Sequence, residues 1–281
     1  MQTSIPCAKC KNEIPQPAPC CPHCGQRAIF WNVIDADKAD ERAALQARYD
    51  AAKTDALARA AGAAVKNFET AIAGSKAVLA RSMDDVQQLA NSTRQLYATY
   101  YQLIEAGLRL PDNDEWNRAR ELTDTVLFPH YKDQIRFAAL SLDGAGLSTF
   151  GDCSIELREE MIAHRASVFD ENSVLFMEHH GIKVSRKPKV PKGFRATWGE
   201  RDKLCVAKLA PRIDSTTTPN QYSKLLLAQG ASPETHEFVE VHIFGPMTVL
   251  TMAKVKITRA KAGPRAKSLV FKLKNHGVAV E

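Results

Sequence analysis

The amino-acid sequence predicts a multidomain α+β chain with a cysteine-rich N-terminal module, a long helical or coiled-coil segment, and a C-terminal mixed α+β domain with a mainly antiparallel sheet. Three observations predict it. Five of the seven cysteines fall within residues 7 to 24. Residues 35 to 108 contain no proline and are rich in Ala, Gln, Lys, Arg and Glu. Residues 134 to 281 mix period-two alternation with short helical patterns. The expected units are therefore 1–28, 35–108 and 134–281.

With 281 residues, 44% hydrophobic and 25% charged, the composition is that of a globular protein with a sizeable core. No run of eighteen apolar residues is present, and the first residues lack the blocks of a signal peptide. The expectation is a cytoplasmic protein with no membrane partner. In a reducing compartment, clustered cysteines read as metal ligands rather than disulfides, while Cys153 and Cys205 stand alone.

The N-terminal module comes first. Cys7 and Cys10 form one C-x-x-C pair, and Cys21 and Cys24 form the second after a ten-residue linker. Two tight turns of this kind present four thiolates to one tetrahedral ion, and Gly25 lets backbone amides approach the second pair. The arrangement resembles a small zinc ribbon. Four thiolates leave no open coordination position, so the zinc is expected to be structural. Cys20 and His23 are spare donors that leave the fourth ligand open. Ribbons of this sort commonly dock protein or nucleic acid, and Lys9, Lys11 and Arg27 suit either partner.

The middle segment reads as helix. Leu45, Tyr49, Ala52 and Ala56 step by four, three and four, and Leu79, Met83 and Val86 continue the rhythm. As one rod it would reach about 110 Å, but Gly62 and Gly74-Ser75 offer places to reverse. The stripe suits a coiled coil, a homodimer or a spacer. A further helix is predicted from Glu115 to about Leu127, capped by Asn113 or Asp114.

In the C-terminal unit, Cys153 to Arg158 alternates as a strand, and Glu159 to His164 reads as a helical turn before extended chain resumes at Arg165. Leu250 to Thr258 and Ser268 to Lys274 read as a hairpin through Lys261-Ala262-Gly263-Pro264-Arg265. Between Val241 and Val280 there is no acidic residue against eight Lys and Arg, which predicts a basic surface. The strand Glu237 to Gly245 carries the chemistry. Val239, Val241 and Ile243 form its core face, so Glu240 and His242 share the other face between Phe238 and Phe244. A partly desolvated Glu240 there is suited to act as a base or to accept from a ribose hydroxyl.

An Arg at a strand start (Arg165), a Ser on a later segment (Ser173, or Ser215 within Ser215-Thr216-Thr217-Thr218) and Glu240 within Glu240-Val241-His242 occur in that order. The order resembles the pattern of mono-ADP-ribosyltransferases. The spacing from Arg165 to Ser173 is short for that family, and His242 stands where a second acid or amide is usual. The resemblance implies NAD as cofactor, bound by Arg165 and by Ser173 or Ser215. It also implies Glu240 and His242 as the catalytic pair acting at the anomeric carbon, in a toxin-like effector that modifies a macromolecular target. The alternative class is a non-catalytic adaptor binding nucleic acid or a protein through the ribbon and the basic C-terminal hairpin.

Overall fold

A computed structural model describes residues 4–15, 18–108, 115–185, 187–258 and 263–281 of the chain. Strands β1 (Ser4–Pro6) and β2 (Glu13–Pro15) pair antiparallel around the Cys7–Cys10 turn, and an antiparallel bridge between Cys20 and Arg27 closes the Cys21–Cys24 turn. Helices α1 (Trp31–Ala36), α2 (Ala39–Ala58) and α3 (Gly62–Ile72) lead into β3 (Lys76–Arg81) and α4 (Met83–Leu89). Then come α5 (Tyr100–Glu105), α6 (Glu115–Leu127), β4 (Ile135–Ser141), β5 (Cys153–Leu157) and α7 (Glu159–Ile162). The chain continues through β6 (Ala166–Phe169), α8 (Ser173–His179), β7 (Arg195–Thr197), α9 (Arg201–Leu209) and α10 (Pro219–Leu226). It closes with β8 (Leu227–Ala228), β9 (Glu237–Phe238), β10 (Glu240–Phe244), β11 (Met252–Ile257), α11 (Pro264–Asn275) and β12 (Ala279–Val280).

The main sheet has eight strands in the order β12-β11-β5-β3-β4-β10-β6-β7, antiparallel throughout except for the β11–β12 pair. The mixed α+β class and the mainly antiparallel sheet are as expected. Strand β10 lies inside the sheet, and all five of its residues are buried. Its register places Val241 and Ile243 on one face with Ala138, Leu140 and Val168. That face joins the larger core, covered by α2, α3, α9, α10 and α11. On the opposite face lie Glu240, His242 and Phe244 with Phe137, Ile135, Ser167 and Phe169. Phe128 at the end of α6, Phe176 of α8 and Phe30 pack over it as a second, aromatic core. Both faces are thus covered, so the pattern that isolates Val239, Val241 and Ile243 identifies one core of two.

Two sequence expectations are corrected. The segment 35–108 forms no long coiled coil: α2 and α3 end before β3, which sits in the middle of the sheet between β4 and β5. Lys76-Ala77-Val78-Leu79-Ala80-Arg81 has four consecutive buried apolar residues, and a short apolar run does not separate buried strand from helix by periodicity. The stripe of α2 is covered within the chain, with Leu45, Ala52 and Ala56 buried in the larger core. Ser268 to Lys274, expected as a strand, belongs to α11. Pro264 opens that helix at a position where no N–H is needed, and Ala266, Leu269 and Leu273 bury one helical face. The proposed turn at 261–265 and the cap at Asn113 or Asp114 lie wholly or partly outside the described residues.

Candidate functional site

Two places in the fold gather chemistry-bearing side chains. The first is the cysteine module. The Sγ atoms of Cys7, Cys10, Cys21 and Cys24 all lie within 4.8 Å of one another. Cys7 and Cys24 approach to 3.6 Å and Cys10 and Cys21 to 3.5 Å. Sulfurs at the corners of a tetrahedron around zinc, each about 2.3 Å from it, sit roughly 3.8 Å apart. The four cysteines are therefore positioned to bind a metal ion in a way compatible with structural zinc. Cys20 and His23 are not part of the cluster. Lys11 and Gly25, each following a C-x-x-C pair, take left-handed backbone angles of 62° and 70°. A Cβ at Gly25 would meet nothing within 4 Å, so glycine serves the turn there rather than a close approach.

The second place is the Glu240 face of β10. Glu240 is 2% exposed, and its two oxygens have different partners. Oε1 lies 3.3 Å from Nη1 of Arg120 on α6. Oε2 accepts from the Ser173 amide at 3.2 Å and lies 2.9 Å from Nε2 of His242. Burial pushes the Glu240 carboxyl up, but the Arg120 charge and the His242 and Ser173 hydrogen bonds outweigh it and hold it at about 2. His242 is itself enclosed by the rings of Phe128, Phe137 and Phe169, with centroids 4.7, 5.3 and 5.5 Å away.

Arg120 links this carboxylate to a second one. Its Nε lies 3.2 Å from Oδ1 of Asp124, one turn later on α6, and its guanidinium stacks 3.7 Å over the Phe137 ring. Asp124 accepts from the Tyr101 hydroxyl at 2.8 Å. Burial, against the pull of Arg120, leaves the Asp124 carboxyl above its usual range. Two carboxylates sharing one guanidinium thus have ionisation preferences pushed apart, which is a common mark of acid–base sites. Nη2 of Arg120 and Oγ of Ser173 are buried and have no hydrogen-bond partner among the described residues.

A cavity of about 300 Å³ opens against this cluster. Glu240, Arg120, Asp124, Asn172, Asn117 and Arg136 line it, and among the described residues seven of the 23 lining it are aromatic, including Tyr97, Tyr101, Trp116 and Phe150. Against 7% aromatic residues in the whole chain, the described lining is strongly enriched in rings, whose flat faces suit a planar ligand.

Glu240, His242 and Ser173 are therefore brought together. Arg165 is not among them. Its Nε donates to the Met161 carbonyl at 2.9 Å, and Nη1 donates to the Phe244 and Pro246 carbonyls, the latter at 3.0 Å. Burial and the nearby Arg136 pull its pKa down to about 9, and no contact joins it to Glu240 among the described residues. Ser215 sits in an exposed turn just before α10, whose Tyr222 and Leu226 belong to the core on the other face of the sheet. Arg120, Asp124, Tyr101 and Trp116 escaped the sequence reading. The available signal was the Arg120–Asp124 pair at i, i+4, with the base ahead of the acid, the order that stabilises a helix less.

No protein-family model matches the chain, and the search of curated proteins finds no match. No helix among the described residues is long and apolar enough to cross a membrane.

Proposed function

We propose that the cavity beside β10 is an active site that transfers ADP-ribose from NAD to a macromolecular target, with the zinc ribbon as a docking module for that target. The observation that supports this reading is the buried carboxylate of Glu240, paired and hydrogen-bonded on a central strand beside an aromatic-lined cavity. The reading keeps Glu240, His242 and Ser173 of the sequence pattern and drops Arg165 and Ser215 from the cofactor contacts.

The chemistry asks for such a group. When the bond from the ribose C1′ to the nicotinamide nitrogen breaks, its electron pair stays on the ring, which leaves neutral. Positive charge then spreads over C1′ and the ring oxygen, and a fixed carboxylate in a low-dielectric pocket stabilises it. The leaving group needs no proton, which suits a glutamate held ionised. A nucleophile of the target next bonds to C1′ and releases its proton to water. His242 and the Ser173 amide keep the carboxylate in place, acting as positioning groups. A cavity of about 300 Å³ is at the small end of ligand pockets. It suits the nicotinamide riboside half of NAD, with the remainder towards the mouth.

The test is nicotinamide release from NAD by the full chain and by Glu240→Gln. Turnover by wild type with a loss of about 10²–10³ in the variant is expected. Equal rates, or none in wild type, would end the reading. The adaptor alternative draws on one feature: Phe271 is 67% exposed, and on α11 it shares a helical face with Lys267 and Lys274, which suits stacking beside phosphate contacts. Nucleic-acid affinity that falls steeply with salt, with no nicotinamide released, would favour that alternative.

A further inference from the structure

One wall of the cavity is built differently from the rest. Leu147, Phe150 and Phe238 contribute to it, and Leu147 and Phe238 belong with Ala139 to a small core separate from the two large ones. The backbone that carries this wall is slight. On one side is the turn Ser148–Phe150; on the other is the segment from Gln229 to His236, which joins the two-residue strands β8 and β9. Small clusters carried by short elements are where a fold opens first.

His236 holds the two sides together. Its ring is 3% exposed, and both nitrogens are engaged. The Gly230 amide donates to Nδ1 at 2.9 Å. A backbone N–H can only donate, so Nδ1 carries no proton; the ring hydrogen sits on Nε2 and is donated to Oγ1 of Thr149 at 2.7 Å. Gln229 and Ser148 exchange two further hydrogen bonds, and the Phe150 ring lies edge-on to the imidazole with centroids 6.0 Å apart. The closed wall therefore requires a neutral histidine in one tautomer. A proton on Nδ1 sets N–H against N–H and takes the acceptor from the Gly230 amide. The turn contributes only Ser148, Thr149 and Phe150, none of which carries charge. Burial draws the His236 pKa down from 6.5, against a weaker upward pull from Glu234 on the same segment. Glu237, which opens β9, is paired with Arg212.

We propose that His236 is a pH-operated latch on this wall: protonation releases the Gln229–His236 segment from the turn that carries Phe150 and opens the cavity on that side. The latch governs access for whatever ligand the cavity takes, so it does not rest on the transferase reading. The tautomer sets the direction. The closed wall needs the neutral ring, whereas the ring of an open wall titrates as an ordinary histidine near 6.5. As pH falls below that value the ratio of open to closed rises, by up to about tenfold per pH unit, until the closed form is itself protonated. Above about pH 7 the closed wall has its full stability.

NMR of the full chain tests it. At about pH 7.5, Nδ1 of His236 is expected to give the shift of a bare nitrogen and Nε2 that of a protonated one. Between about pH 7.5 and about pH 5, the Gly230 amide is expected to lose at least about fivefold in protection, relative to its intrinsic exchange rate, while the amides of β4 and β10 keep theirs. With fluorotryptophan incorporated, the fluorine resonance of the indole at 116, which lines the same cavity, is expected to move over the same range. His236→Gln retains a donor for Thr149, and His236→Asn retains an acceptor for Gly230. Neither variant titrates at this position, so the pH response of Gly230 and of the indole is expected to vanish in both. A protonated Nδ1 at the upper pH, unchanged protection of Gly230, a response that survives in either variant, or an indole at 116 that does not register the opening would overturn the proposal. The wild-type readings decide it whether or not a variant folds, and the presence or absence of nicotinamide release does not bear on it.

Discussion

At the scale of single residues, the molecule keeps several ionisable groups out of water, and each leaves a signature in stability against pH. Glu240 has a folded pKa of about 2 against an ordinary 4.5. Between those values the unfolded chain takes up a proton that the folded chain refuses. Its contribution is therefore complete above about pH 4.5 and is lost as pH falls towards 2. His164, packed edge-on against Phe30, has its pKa lowered from 6.5 to about 4 by burial and then by Arg165. The sign is the same and the window higher: stability falls as pH drops from 6.5 to 4. Urea midpoints measured across pH are expected to flatten in the upper window for His164→Gln and in the lower for Glu240→Gln; unchanged slopes would contradict the assignments. Removing Arg120 is a harsher change, because it leaves Glu240 as an unpaired buried charge. Arg120→Gln is expected to cost about 3–5 kcal/mol in denaturant unfolding, with much of it recovered in the Arg120→Gln/Glu240→Gln double variant. The sequence made Glu240 and His242 legible, because alternation on one strand puts them on one face. It left Arg120 obscure, because a guanidinium four residues from an aspartate on a helix looks the same whether it faces solvent or a carboxylate 120 residues away.

At the scale of elements, local pattern was sufficient where an element's own sequence decides its state. The helix over Glu115–Leu127 and the strand at Cys153–Leu157 are as expected from their periodicities. It failed where tertiary burial decides, as in β3, whose four apolar residues become a strand because two neighbours are there to pair with it. Contacts between distant loops and helices were equally hidden. Lys192 and Gly193, in the loop ahead of β7, are clasped to α2: the Gly193 amide donates to Glu41 at 2.8 Å, and Lys192 lies 3.3 Å from the same carboxylate. Gly193 has a backbone angle of +83°, and a Cβ there would come within 2.6 Å of the Ala44 carbonyl carbon. Gly193→Ala is expected to destabilise by about 2 kcal/mol or more, through strain and displaced backbone, measured by thermal unfolding. Leu269, fully buried on the inner face of α11, tests the helical assignment: Leu269→Ala is expected to cost about 2–5 kcal/mol, whereas Phe271→Ala, on the exposed face, is expected to cost little.

At the scale of the whole molecule, the cysteine module and the sheet differ in how much apolar core each has. The buried core of the cysteine module is Cys7, Ile14 and Cys21 among the described residues, small enough that its order is expected to depend on an ion held by the four thiolates, while the sheet has two extensive cores of its own. Chelation, or Cys7→Ser, is expected to abolish hydrogen-exchange protection over residues 4–28 and leave the amides of β4 and β10 protected; loss of protection in both would show that the sheet depends on the ion. The three tryptophans fall in three environments: Trp31 is 46% exposed next to the ribbon, Trp116 lines the cavity, and Trp198 is 3% exposed in the larger core. The chain thus carries its own set of optical probes, one per region. Iodide quenching should reach the indole at 31 most readily and the one at 198 least. A molecule entering beside α6 should change the emission of the indole at 116 alone, so occupancy is readable in the native polypeptide with no dye attached.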